Sequence, residues 1–256
     1  MLTNLWVTAL VALGVVSVTF VIGTVRHRDR YIDVAWGLGF AGIAVATGLL
    51  ADGDAVRRVL VTGLTVVWGV RLAAHIAYRG RGHGEDPRYA KLLAGKPRLY
   101  AFGMVYLLQA AIMWFVSLPV QVAQYDRSAP DWWLLPGVAL WAVGFYFEAV
   151  GDRQLVRFTR DPANKGKVLD TGLWRYTRHP NYFGDATVWW GLYLLACGTW
   201  AGAATILSPI VMTYFLAGKT GKPLLEQGMA ERRPGYADYV ARTSGFVPRR
   251  PRKRER

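Results

Sequence analysis

The chain reads as an all-α polytopic integral membrane protein of about seven transmembrane helices, with its N-terminus outside and its C-terminus in the cytoplasm. Three observations predict this. Of 256 residues, 53% are apolar and 19% charged, against about 45–50% and about 25% in a soluble domain. The apolar residues come in blocks of up to about twenty, enough at 1.5 Å per residue to cross a hydrocarbon core of roughly 30 Å. Finally, 31 Lys and Arg against 17 Asp and Glu give a formal charge of +14, and that charge is sorted to one set of connections between the blocks.

Segment 5–25 is uncharged throughout. It is too long for a signal-peptide core and has neither a basic region before it nor a small-residue cleavage site after it. Segments 32–50, 59–77, 99–122 and 132–150 follow as further spans. Segments 186–198 and 201–218 are shorter and share a tight turn at 198–202. Pro209 is expected to kink the last span, since proline lacks the N–H of a helical turn. A six-span chain with this pair as one broken hairpin is the alternative. The single cysteine, Cys197, excludes an internal disulfide framework and a Cys-based zinc cluster, and no metal site is expected.

The basic residues alternate with the spans. Segment 26–31 carries three, 78–98 six, 151–185 seven and the tail after Gly218 eleven of the 31. The opposite connections hold only Arg57, Arg58 and Arg127, beside Asp52, Asp54, Asp126 and Asp131. The positive-inside bias sets the orientation from this pattern. The charge therefore orients the protein rather than marking nucleic acid as a partner. Residues 249–256 hold six cations and are expected to form a disordered basic tail near anionic lipid, each charge worth about 1 kcal/mol at the surface. No internal repeat favours an inverted-repeat transporter, and Asp33, Arg71, His75 and Glu148 lie near cytoplasmic span ends, where long side chains snorkel.

The connection 151–185 is too long and polar for a simple link. Its first part, 152–158, is expected to continue the fifth span as helix. Asp161-Pro162 then ends it, because the residue before proline is steered out of the helical region. Asn164-Lys165-Gly166-Lys167 has turn chemistry and Val168-Leu169 suits a short extended piece. Beyond it Arg175, Arg178 and His179 are interleaved with Trp174, Tyr176, Asn181 and Tyr182. Arginine forks suit phosphate oxygens and aromatic faces suit a stacked ring. Pro180 fits the first turn of the sixth span, whose N–H groups would favour an anion. The residues thus describe either a cytoplasmic pocket for an anionic, ring-bearing ligand such as a nucleotide, or ordinary interfacial anchoring.

At these residues the sequence resembles a known family. The run Gly172-Leu173-Trp174-Arg175-Tyr176-Thr177-Arg178-His179-Pro180-Asn181-Tyr182-Phe183-Gly184-Asp185 is similar to the signature of the steroid 5-alpha-reductase-like membrane proteins, especially their bacterial branch. Its Arg-His-Pro-x-Tyr core is also similar to the isoprenylcysteine carboxyl methyltransferases. The resemblance runs from about residue 148 to 248 and takes in Asp33-Val34-Ala35-Trp36-Gly37 and Glu85-Asp86-Pro87-Arg88-Tyr89.

The resemblance implies one membrane-embedded domain, 1–248, in a bacterial inner membrane, with NADPH held on the cytoplasmic side by segment 148–185 and a C-terminal cap, 219–248. It places Glu148, Asp152, Arg157, Arg175, Tyr176, Arg178, His179, Asn181, Tyr182 and Asp185 at the cofactor. Arg178 and His179 are expected near phosphate and Tyr176 near a ring. Leu224-Leu225-Glu226, then Tyr236, Tyr239 and Arg242, resemble the cap. The sequence also departs from the family, whose steroid reductases polarise a ketone with a glutamate on the second span and a tyrosine on the third. The second span has no glutamate, and Trp68 is the aromatic beside Arg71. The substitute acids are Tyr89 as donor with Asp33 or Glu85 orienting it, unless 85–89 is only a clasp on its loop. The activity implied is reduction of a carbon–carbon double bond in a lipid or steroid-like substrate. The alternatives are an S-adenosylmethionine-dependent methyltransferase and a non-catalytic binding protein of the same fold.

Overall fold

A computed structural model describes residues 1–128, 132, 134–219, 221, 226 and 229–252. These form helices joined by turns and loops, with no strand among the described residues. The chain forms two compact units, Met1–Leu134 with Leu195–Ser208, and Leu135–Leu194 with Pro209–Arg256.

In the first unit, α1 (Leu2–Arg26) turns a seam of Asn4, Thr8, Ala12, Val16, Thr19 and Gly23 inward. Trp6, Leu10, Val18, Val21 and Val25 point outward and are exposed. This inverts a soluble amphipathic helix and suits a helix solvated by lipid, where small and polar residues make the helix contacts. His27 ends α1 at φ 53°, its N–H returned to Gly23 O and Thr24 O. Two further spans, α2 (Tyr31–Leu50) and α3 (Ala55–Arg79), approach backbone to backbone: a Cβ on Gly37 would lie 2.1 Å from Gly69 O. Asp54 caps α3 by accepting from Arg57 N at 2.9 Å.

The short helix α4 (Pro87–Leu93) starts with Pro87 behind the capping Asp86. The expected fourth span is α5 (Arg98–Val116), which winds as a π-helix over Phe102–Leu107, followed by α6 (Leu118–Ala123). Buried amides knit this unit. Gln121 accepts from Asn4 Nδ2 at 3.0 Å and from the Thr8 hydroxyl at 2.8 Å.

The second unit is built on α7 (Leu134–Arg160), which runs unbroken to the Asp161-Pro162 stop, and α8 (Pro180–Ala196). Glycines hold these two together as well. A Cβ on Gly184 would meet Glu148 N at 2.4 Å and Gly144 O at 2.5 Å. Helix α9 (Trp200–Gly218), which belongs to the first unit up to Ser208 and to the second from Pro209, tightens to a 3-10 turn over Ala204–Ile206. Two short helices, α10 (Met229–Arg232) and α11 (Tyr236–Arg242), complete the cap region.

Six of these helices, α1, α2, α3, α5, α7 and α9, are long and apolar enough to cross a membrane, which makes this an integral membrane protein. The expected span at 186–198 corresponds to α8, whose 17 residues sit at the short end of the range of about 17–25. Leu224 and Leu225 of the expected cap, and 253–256 of the expected tail, lie outside the described residues. Residues 249–252 are tied to the fold: Arg249 N donates to Tyr176 O at 2.9 Å and Arg252 N to Arg242 O at 3.0 Å.

Candidate functional site

In the first unit the candidate acids meet at the start of α2. Asp33 lies in the first turn of α2, where the helix dipole favours a carboxylate. The buried Tyr89, on α4, donates its hydroxyl to Asp33 Oδ1 at 2.5 Å. Arg88 reaches the other oxygen of Asp33 at 2.8 Å and also grips Asp86. Burial pushes the Tyr89 phenol well above its ordinary value, and the Asp33 charge and hydrogen bond add to this, against smaller opposing pulls from Arg88 and Gln109. The phenol is therefore fully protonated at neutral pH.

Glu85 is used differently. Its carboxylate accepts from the backbone N–H groups of Asp29, Arg30 and Asp86, closing the loop onto the turn that begins α2. Beside it lies a buried hub that sequence reasoning missed. Asp29 takes both forks of Arg98, at 2.8 and 3.0 Å, and the Tyr106 hydroxyl at 2.7 Å. Asp29 is the single acid in a run of arginines, which was the available signal. Gln109 was missed as well. It accepts from the Trp36 indole N–H, and a lone amide in an apolar span was its only sequence mark.

In the second unit the expected cofactor residues fall into three groups. Glu148, Asp152 and Asp185 are buried acids on α7 and α8, and Asn181 Nδ2 donates to Asp152 Oδ1 at 3.1 Å. The Tyr182 N–H is taken by the Asn181 side chain, so the first turn of α8 is partly capped from within.

The second group is locked by the cap. Arg178 Nε lies 3.0 Å and His179 Nε2 2.8 Å from Glu226 Oε1. Arg178 also donates to Val240 O, and Tyr182 stacks on the His179 ring at 5.7 Å. Tyr239, near Tyr236, donates to Trp174 O at 2.6 Å, and Arg242 bridges Asp170 at 2.7 Å and Asp238 at 3.1 Å. Burial raises the Tyr239 phenol, and the hydrogen bond that Arg242 donates to Asp170 raises Arg242.

Arg157, Arg175 and Tyr176 form the third group, solvent-exposed at their side chains. The structure thus joins Asp152 to Asn181, and Arg178 to His179, while Arg157 stands apart. Asp170 and Gln154 are contacts that the sequence left without a role, while Glu226 was read only as part of the cap and Trp174 only as an aromatic face.

A nucleotide's hydroxyl and amide donors need acceptors, which the buried acids and Asn181 offer. Its phosphates need cations, and Arg157 and Arg175, without ion-pair partners among the described residues, suit them better than the ion-paired Arg178. The residue set fits an NADPH-like group on these terms.

The family model described as a protein of unknown function, DUF1295, matches residues 19–243. Among curated proteins, an uncharacterized protein of Schizosaccharomyces pombe is 24% identical over 226 residues, covering 75% of this chain and 64% of the relative. The 3-oxo-5-alpha-steroid 4-dehydrogenase 1 of Bos taurus is 35% identical over 108 residues, 40% of each chain. The steroid 5-alpha-reductase DET2 of Arabidopsis thaliana is 33% identical over 85 residues, 32% of each. The matches therefore span under two thirds of each relative's length. No solved structure matches the chain. With the family model covering most of its length, the chain belongs to the DUF1295 family of steroid 5-alpha-reductase-like membrane proteins.

Proposed function

We propose that the protein is an NADPH-dependent reductase of a carbon–carbon double bond in a lipophilic, steroid-like substrate, working from the cytoplasmic side of a bacterial inner membrane. The observation that carries this reading is the 2.5 Å hydrogen bond between buried Tyr89 and Asp33. It supplies a carboxylate–phenol pair from the second helix and the segment after the third. A glutamate on the second span and a tyrosine on the third polarise the ketone in the steroid reductases; Asp33 and Tyr89 are the substitute acids in this chain. Bound NADPH supplies a hydride to an electron-poor carbon of the double bond.

The chain's own residues do the rest. Tyr89 donates its proton to the neighbouring carbon, so the double bond gains one hydride and one proton. Asp33 orients the phenol, and Arg88, 5.4 Å from the Tyr89 ring centroid, stabilises the phenolate left behind. Asp152, Asn181 and Asp185 accept from cofactor hydroxyl and amide groups, and Arg175 meets phosphate. Glu226 holds Arg178 and His179 so that the segment 172–185 keeps one shape. The basic C-terminal residues face anionic lipid.

The test is cofactor titration of the purified protein in detergent by calorimetry, with NADPH and S-adenosylmethionine in parallel, on the native chain and Asn181→Ala. Saturable NADPH binding that Asn181→Ala weakens is expected. Binding of S-adenosylmethionine with no response to NADPH overturns the reading in favour of methyl transfer. Against an α,β-unsaturated steroid or lipid ketone, Tyr89→Phe should lower turnover by about 10²–10⁴-fold while leaving NADPH affinity intact.

A further inference from the structure

Two cations of the cofactor segment and cap, Arg178 and Arg242, are neutralised. Glu226 answers Arg178, and Asp170 and Asp238 answer Arg242. Arg157 is different: no described residue hydrogen-bonds or ion-pairs with its guanidinium. It stands at a cavity of about 320 Å³ between the last turns of α7 and the loop that follows. Phe158 and Leu169 supply apolar wall, Thr171 a hydroxyl, and Gln154 and Asn164 amides.

The walls are held in place. Gln154 Oε1 accepts from Leu173 N at 3.0 Å, and Asn164 Nδ2 donates to Phe158 O at 3.2 Å. Gly172 sits at φ 59°, a conformation that side chains rarely adopt, with the Gln154 amide packed over it. Asp161, the nearby carboxylate, is occupied with Ala163 N and Asn164.

One uncompensated guanidinium beside a short apolar wall and a hydroxyl suits a flat ring whose sugar carries a phosphate monoester. The volume is at the small end of ligand pockets, about 300–1,000 Å³, enough for part of a dinucleotide rather than all of it. Arg157 is five residues beyond Asp152 on the same helix, roughly 7.5 Å along its axis and about 140° around it. A cofactor with one end at Asp152 and Asn181 would pass around the side of α7 to reach it.

We propose that this cavity takes the adenosine end of the cofactor and that Arg157, by binding the 2′-phosphate, is the residue that selects NADPH over NADH. This rests on the NADPH reading above and adds the site and origin of the selectivity. NADPH and NADH differ only in that phosphate, so the pair isolates the contact.

The test uses the full chain in detergent, with NADPH, NADH, 2′,5′-ADP and 5′-ADP as titrants against the native protein, Arg157→Ala and Arg157→Lys. Arg157→Ala should weaken NADPH and 2′,5′-ADP by roughly ten- to hundredfold, the range for a hydrogen bond to a charged group. NADH and 5′-ADP should stay within about twofold, and Arg157→Lys should restore part of the loss. The exposed position of Arg157 predicts unchanged unfolding midpoints, which separates lost binding from lost fold. If the native protein prefers NADPH and Arg157→Ala keeps that preference, or if both dinucleotides weaken equally, the assignment of Arg157 is wrong and the reductase reading stands. If the native protein binds neither dinucleotide, both are wrong.

Discussion

Gly37→Ala tests whether α2 and α3 are held by direct backbone contact. The new Cβ would lie 2.1 Å from Gly69 O and 3.0 Å from Ala73 N, where ordinary contact begins at 3.4 Å. Neither neighbour is the end of a flexible side chain, so the helices must part by roughly 1 Å. A gap of about 0.5–1 Å forfeits a quarter to a half of the dispersion well for every atom pair along the seam. That seam includes the buried Ala35, Ala41, Ala44, Val61, Trp68 and Ala73. Overpacking costs about 1–3 kcal/mol, and a contact this close belongs at the upper end. The better helix propensity of alanine returns at most about 1 kcal/mol, leaving a net loss of about 2 kcal/mol. Gly63→Ala on α3 is the control, because nothing lies within 4 Å of its Cβ, and it should be neutral or slightly stabilising. Unfolding in detergent, followed through the 11 tryptophans, measures both. Equal midpoints for Gly37→Ala and Gly63→Ala would refute the reasoning.

Three further outcomes are expected. Tyr89 and Tyr239 have phenols raised above their ordinary value near 10; a raised group adds stability in full below the unfolded pKa and loses it as pH climbs through the folded one. Stability should therefore fall from about pH 10 upward, and Tyr89→Phe should flatten part of that slope in an alkaline unfolding series; an unchanged slope contradicts it. Arg57 and Asp126 form a buried pair at 3.3 Å, with Arg57 also donating to Leu195 O, so Asp126→Asn should cost about 3 kcal/mol in an unfolding titration. A loss under about 1 kcal/mol would mean that solvent already reaches the pair. Glu226→Gln removes the charge shared by Arg178 and His179, and hydrogen exchange over 229–252 should quicken by about tenfold, as expected for roughly 1.4 kcal/mol of lost local stability. Exchange at the native rate would show that the other cap contacts suffice.

Much of the architecture was legible in order along the chain. The blocks 5–25, 32–50 and 59–77 became α1, α2 and α3, Asp161-Pro162 ended α7, and Pro180 opened α8. The fourth block was legible as one span, yet it divides at Ser117 into α5 and α6, with a π-helical stretch inside α5. No local signal marks that stretch, because its residues are ordinary apolar ones. In the candidate sites, Tyr89 was named from the sequence as a donor with either Asp33 or Glu85 orienting it, and the choice of Asp33 joins residues 56 apart. Arg178 and His179 were expected near phosphate from the family resemblance, and their shared partner Glu226 is 47 residues beyond His179.

The difference has one physical origin. Membrane insertion, helix ends and charge sorting follow from free energies that accumulate over contiguous residues, such as transfer of an apolar run into hydrocarbon, a cap, or a proline without its N–H. A single sequence determines these by itself. Which polar groups meet depends on the register between helices, set here where Gly37 meets Gly69 and Gly184 meets Gly144 and Glu148. A shift of one residue, about 1.5 Å with a 100° turn, would part each pair without altering any local signal. Only the tertiary structure decided that Tyr89 faces Asp33, that Glu85 serves the backbone before α2, and that no described residue answers the charge of Arg157.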